Sequence, residues 1–248
     1  MSIAEQAFEI VGGNRDSSIV ISCDHASNLV PAGVNGGTLG LSDGDMDRHI
    51  AYDVGAEGVS RRLGELLDAP VILSRFSRLV IDPNRGLDDP TLIMQLYDGT
   101  IIPGNRNLDA DQIAYRVQTC WQPYDDALGA LLASRPQAVL IAIHSFTAQL
   151  AGRPKRPWHI GILHEKDQRL ARPMLARLRA LGDLCVGENE PYGGHLDGDS
   201  IDRQALSRGV PNILIEIRND LIREDGQQKG WAERLAPILR DVIATTPI

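Results

Sequence analysis

Short apolar runs rich in β-branched residues alternate along the chain with segments of helical spacing, which predicts an α/β layered fold. Strands are expected at 18–23 (SIVISC), 70–74, 79–81, 137–143, 159–163 and 212–217. Helical spacing marks 45–67, as one helix or a pair of helical segments, then 111–133, 167–181 and an amphipathic closing stretch at 231–244. The runs AVLIAI (138–143) and NILIEI (212–217) are apolar at successive positions, so both faces of those strands should be covered by helices. Residues 83–107 are rich in Gly, Pro, Asn and Asp and read as a long functional loop. The basic, Pro-containing stretch 151–157 (AGRPKRP) is either a solvated connection or a lid. No repeat or linker divides the chain, so one domain over residues 1–248 is expected.

Composition narrows the class. Hydrophobic residues make up 43% and charged residues 23%, enough apolar content to bury a core, which excludes a disordered chain. The longest apolar strand candidate, 138–143, is far short of the roughly 20 residues that cross a bilayer, so no membrane partner is expected. The first ten residues carry no basic segment leading into an apolar core, and the cytoplasm is the expected location. A net charge of −8 argues against a nucleic-acid partner. Cys23, Cys120 and Cys185 are odd in number, far apart and without CxxC spacing. Any metal must therefore be held by His and carboxylate side chains.

Five features carry candidate chemistry. His25 and His144 each follow the carboxyl end of a predicted strand, the rim where α/β sheets bind ligands. In DMDRHIAYD, Asp45, His49 and Asp53 would share one face if the segment were helical. Asp45 or His49 is then a ligand candidate, while Asp47 reads as an acid placed against the helix dipole. SRLVIDPNR sets Arg78, Asn84 and Arg85 around a strand exit, where guanidinium forks suit a substrate carboxylate. Glu216 is an acid inside an apolar strand, which is costly unless it is paired or working. Strand alternation puts Arg218 on its side, so it is either half of a buried ion pair or a general base. Together these suggest one zinc held by two His and one carboxylate, with an open position and a separate Glu. That Glu would move the water proton to a leaving amine, and the Arg side chains would fix an acidic substrate.

SCDHAS after the first strand, SRLVIDPNR, IAIHSF and LIEIRNDLI occur in an order that resembles the N-formylglutamate amidohydrolase family, roughly from residue 19 to 221. That family is similar in turn to the zinc carboxypeptidase and aspartoacylase group. The resemblance implies a three-layer, zinc-exopeptidase-like fold with a mixed sheet between helices. It implies one Zn2+ per chain and hydrolysis of N-formyl-L-glutamate to formate and L-glutamate, the last step of one histidine-degradation route. Carried over residue by residue, it implies His25 and His144 as zinc ligands, and Asn84 and Arg85 toward the substrate carboxylate and carbonyl. It also implies Arg78 in a similar role and Glu216 as general base.

The chain departs from the wider group in one respect. That group uses His-x-x-Glu for its first two ligands, whereas Asn28 stands three residues after His25. The third ligand must then come from elsewhere; Asp45 is favoured, with His49 as the alternate. The segments 156–161 (RPWHIG) and 189–195 (NEPYGGH) mark a branch distinct from enzymes acting on formylglutamate, and leave the acyl group and amino acid open. A zinc carboxypeptidase or peptidoglycan-type amidase is the neighbouring alternative. A silent binding protein for an acidic metabolite is the alternative of another class.

Overall fold

The two runs that read as apolar on both faces lie side by side, in parallel, near the centre of one seven-stranded sheet. The computed structural model describes residues 7–194 and 196–247. Along the chain come β1 (Phe8–Val11), β2 (Ile19–Cys23), α1 (Asp43–Met46), α2 (Ala56–Leu66), β3 (Val71–Ser74) and a small hairpin of β4 (Leu96–Tyr97) and β5 (Thr100–Ile101). They are followed by α3 (Ala110–Arg116), α4 (Gln122–Ala133), β6 (Val139–Phe146), β7 (Ile160–Leu163), α5 (Ala171–Ala180), β8 (Val186–Glu188), α6 (Ser200–Gln204), β9 (Asn212–Arg218) and α7 (Asp225–Thr245). The sheet order is β1-β3-β2-β6-β9-β7-β8. Strands β3, β2, β6 and β9 are parallel, β1 is antiparallel on one edge, and β7 runs antiparallel to β9 with β8 parallel beside it.

Alternation divides these strands between two cores. Ile21 of β2, Ile141 and Ile143 of β6, and Ile213 and Ile215 of β9 pack with Val59 and Leu63 of α2, Met174 of α5 and Leu235 of α7. The intervening Val20, Leu140, Ala142 and Leu214 pack on the opposite face with Tyr124 and Leu128 of α4 and with Phe76, Leu79 and Ile81. Each Val, Leu, Ile, Phe or Met among them contributes about 1.5–3 kcal/mol by leaving water. The result is the expected α/β arrangement of three layers, a mixed sheet between helices. Among the described residues, no helix is long and apolar enough to cross a membrane.

The same alternation delivers the polar residues. Beyond Leu140 and Ala142, the next position of β6 on the second face is His144; beyond Leu214, the next of β9 is Glu216. The parallel register sets His144 opposite Glu216. Both emerge on the same face at the carboxyl end of the sheet.

Three expectations change. Residues 45–67 take the second of the two forms expected, a pair of helices α1 and α2, but the non-helical stretch between them means that Asp45, His49 and Asp53 share no helical face. Gly55, at the head of α2, sits at φ 82°, and a Cβ there would overlap the Ile222 carbonyl; this left-handed corner suits glycine. Residues 79–81 form no strand: residues 78–80 are a turn in which Val80 N–H donates to Ser77 O at 2.9 Å, and residues 79–81 are all buried. Their apolar side chains fill the second core without joining a ladder. The edge strands β1 and β8, of 4 and 3 residues, have no counterpart among the expected strands, because runs that short leave little periodicity to read.

Candidate metal centre

Four pieces of chain converge at the exits of β2 and β6. The end of β2 continues into Asp24 and His25, and β6 carries His144 and Ser145. The turn between α1 and α2 supplies Asp53, whose N–H donates to His25 O at 2.9 Å. The segment after β3 supplies Arg78, Asp82, Asn84 and Arg85. His25, His144, Asp24, Asp53 and Asp82 are all at most 3% exposed.

The two imidazoles face one carboxylate oxygen. His25 Nδ1 lies 3.3 Å and His144 Nδ1 2.9 Å from Asp53 Oδ2. Their other nitrogens face other acids: His25 Nε2 is 2.6 Å from Asp82 Oδ1, and His144 Nε2 is 3.6 Å from Asp24 Oδ2. For both rings to donate at both nitrogens, both would have to be doubly protonated. A cation at the Nδ1 side removes that demand. The lone pairs and Asp53 would bind it, while His25 Nε2–H would donate outward to Asp82, the usual outer support of metal-binding His, and His144 Nε2–H would face Asp24 at 3.6 Å without a hydrogen bond. One ligand atom from each of His25, Asp53 and His144 fits within 4.8 Å of the others. The residues present thus fit a divalent cation, and a set of two imidazoles and a carboxylate with no thiolate suits zinc.

The charges show the same imbalance. Burial alone would raise Asp53, but His25 and His144 hold its carboxyl below the usual range. Burial opposes a charge on His144, but Asp24 and Asp53 raise it well above the ordinary imidazole value. Asp24 is also desolvated, yet it is lowered to about 2 by His144, the Ser200 hydroxyl and the Tyr124 hydroxyl. The last two donate to it at 2.5 Å each.

Glu216 faces the same space from β9. Its Oε2 is buried and has no hydrogen-bond partner among the described residues. Burial, partly offset by His144, raises its carboxyl to about 7. Arg218 is not its partner: the guanidinium turns away to Asp220 at 2.7 Å and to the backbone carbonyls of residues 156–158. A cavity of about 440 Å³ opens above the cluster, lined also by Arg78, Asn84, Arg85, Tyr97, Leu163, Tyr192, Leu196, Asp199 and Leu214.

The cavity therefore gathers His25, His144, Arg78, Asn84, Arg85 and Glu216. Arg78 is nonetheless committed inward, with Nε and Nη2 donating to Asp82 Oδ2 at 3.1 and 2.7 Å and Nη1 reaching Asp53 Oδ1 at 3.4 Å. Arg85 uses Nε on Thr91, with Asp89 Oδ2 3.9 Å away, and Nη1 on the Asn84 carbonyl, and no hydrogen bond among the described residues uses Nη2. The Asn84 Oδ1 accepts from Ser200 N–H at 3.1 Å and lies 2.9 Å from Ser200 Oγ, whose proton goes to Asp24.

Asp45 is a correction. It lies in α1, outside the cluster, where its carboxylate accepts from Ser42 Oγ–H at 2.8 Å and Arg48 Nη1 at 3.0 Å. His49 is outside too, 3.3 Å from Asp98. The carboxylate beside both histidines is Asp53, four residues beyond His49, delivered by the turn that breaks the expected helix. Asp24 and Asp82 also escape a reading of the sequence, although each is an acid within a motif it singles out, CDH and IDPN. Of segment 189–195, His195 lies outside the described residues.

Comparison with known proteins follows the same line. Residues 17–223 match the family described as N-formylglutamate amidohydrolase. No curated protein matches. Among solved structures, the gene product Atu2144 from Agrobacterium tumefaciens is similar at 35% identity and TM-score 0.92, covering 99% of this chain and 98% of that one. The N-formylglutamate amidohydrolase from Ralstonia eutropha JMP134 shares the fold at TM-score 0.70 and 19% identity, over 96% and 98% of the two chains.

Proposed function

This chain belongs to the N-formylglutamate amidohydrolase family, and from that premise we propose that it is a zinc-dependent amidohydrolase. It removes a small acyl group from an acidic amino acid, with N-formyl-L-glutamate to formate and L-glutamate the leading case. The observation that carries the reading is the pair of imidazoles aimed at Asp53, with an unpartnered, buried Glu216 oxygen facing the same cavity. His25, Asp53 and His144 would hold the metal. When bound, it supplies Lewis acidity toward an amide carbonyl and acidifies water toward neutrality.

The chain's own groups do the rest. Glu216 takes the proton of the attacking water at its free oxygen and delivers it to the leaving nitrogen, a task suited to a carboxyl held near 7. Arg85, through Nη2, and the Asn84 amide hold the substrate carboxylate. Arg78 braces Asp53 and Asp82 while bordering the cavity. Formate and L-glutamate place the reaction at the end of histidine degradation, in the cytoplasm.

Formate release from N-formyl-L-glutamate by zinc-loaded protein tests this, alongside Glu216→Gln. The variant should keep its zinc and lose about 10²-fold or more in turnover, the size of a general-base contribution. Its melting temperature adds a sign. A carboxyl raised in the folded state stabilises below its unfolded value and loses that contribution as pH rises through about 7. Metal-free Glu216→Gln should therefore match or exceed the wild type in stability at pH 8. A folded, zinc-loaded variant with normal turnover would overturn the assignment.

A further inference from the structure

We infer that Arg156, held over the rim of the cavity by Tyr192 and Phe146, is the second carboxylate receptor and selects acidic amino acids over neutral ones. The inference rests on the amidohydrolase reading and names the residue that would give it its substrate class.

A substrate with two carboxylates needs two available cations. Inside the cavity, among the described lining residues, the arginines are Arg78 and Arg85. Arg78 is neutralised by Asp53 and Asp82, which leaves Arg85 for one carboxylate. Asp199 adds an acid to the lining rather than a cation.

Arg156 supplies what is missing, and the fold fixes it in place. Its guanidinium lies 4.9 Å from the centroid of Tyr192, which lines the cavity, and 5.7 Å from that of Phe146, which ends β6. Nη1 donates to the Tyr192 hydroxyl at 3.2 Å and to Thr147 O at 3.1 Å. No hydrogen bond among the described residues uses Nη2 or Nε. The backbone is pinned on both sides: Arg156 N–H donates to Ala148 O at 2.8 Å, and Arg218 Nη1 reaches the carbonyls of residues 156–158 at 3.2–3.4 Å. So Arg218, whose ion pair with Glu216 is one of the two readings the sequence leaves open, instead anchors the loop carrying Arg156. Two rings and one bound nitrogen restrict the guanidinium, so a carboxylate meets a largely preorganised fork. The basic segment 151–157 thereby becomes part of the site's mouth.

The experiment is a substrate-by-variant cycle with zinc-loaded protein, comparing N-formyl-L-glutamate with N-formyl-L-glutamine, near-isosteric but without the side-chain charge. Arg156→Gln should lower kcat/KM on the glutamate substrate by about 10- to 100-fold, the scale of a charge-assisted hydrogen bond, mainly through KM. On the glutamine substrate the loss should be about threefold or less. Arg156→Lys should recover part of the difference, and melting temperatures should stay near the wild type. Equal losses on both substrates would reduce Arg156 to a positioning residue for Tyr192 and overturn the inference. No loss on either would do the same. If the wild type cleaves neither substrate, the amidohydrolase reading itself falls, and this inference falls with it.

Discussion

Two clusters in this molecule contain the same kinds of side chain and behave differently. At α1, Arg48 bridges Asp45 and Asp98, at 3.0 and 3.4 Å, with His49 beside Asp98. At the exits of β2 and β6, Arg78 bridges Asp53 and Asp82, with His25 between the same two acids and His144 on Asp53. In the first, the Asp45 and Arg48 side chains are about one-third exposed, and solvent and salt take up any imbalance. In the second, all groups but Arg78 are nearly inaccessible, and four acids (Asp24, Asp53, Asp82 and Glu216) outnumber the one arginine, Arg78, that is ion-paired among them. Buried charge left uncompensated is expensive, so this cluster demands either extra protons or a metal. Residue types alone do not make a metal site; burial with convergent, unbalanced negative charge does.

The largest test breaks the buried cluster at its centre. Asp53→Ala removes the carboxylate both imidazoles face, and the variant should lose most of its zinc, at least about 100-fold in affinity, above the range seen for outer partners. His144→Ala should do the same. Zinc per chain, measured after equilibration in a zinc buffer, decides it: full occupancy in either variant would remove the site. A smaller effect is expected one layer out. Asp82→Asn keeps the shape but not the charge opposite His25 Nε2, and should weaken zinc about 10- to 100-fold in a chelator competition. A wild-type affinity would show that the 2.6 Å contact is incidental.

The contrast also separates what is legible in the sequence from what is not. His25, His144 and Glu216 are legible because strand alternation and strand ends are local properties: a polar residue at the exit of an apolar run stands out against its neighbours. Asp53 is visible only as the third member of an expected helical face with Asp45. The actual chain is non-helical over residues 47–55, and Gly55 at its corner sits so close to the Ile222 carbonyl, from the other end of the chain, that no side chain would fit there. A contact so distant in sequence leaves no periodic trace. Of the two readings left open for Glu216, the ion pair with Arg218 drops out for a related reason. Alternation gives the side a residue leaves from, not where a long side chain ends, and the loop carbonyls of residues 156–158 draw Arg218 away. Residues 79–81 show the limit of apolar content, which reports burial and leaves the backbone conformation open.

The smallest expected effect is the sharpest control on the comparison. Asp45→Ala takes away the carboxylate that the sequence alone favours as third ligand. Arg48 keeps Thr100 Oγ1 at 2.7 Å and Asp98, so its guanidinium stays in place. The Ser42 hydroxyl still caps α1 through the backbone of residue 45. Zinc content and turnover should therefore equal the wild type. What remains is a small electrostatic change at an open surface, which added salt should erase, because the Debye length falls from about 30 Å at 0.01 M to about 3 Å at 1 M. Melting curves of variant and wild type should differ more at the lower salt and converge at the higher, with zinc occupancy the same throughout. If Asp45→Ala instead shed zinc at either salt, the exposed cluster would be supplying the ligand, and burial would not be what separates the two.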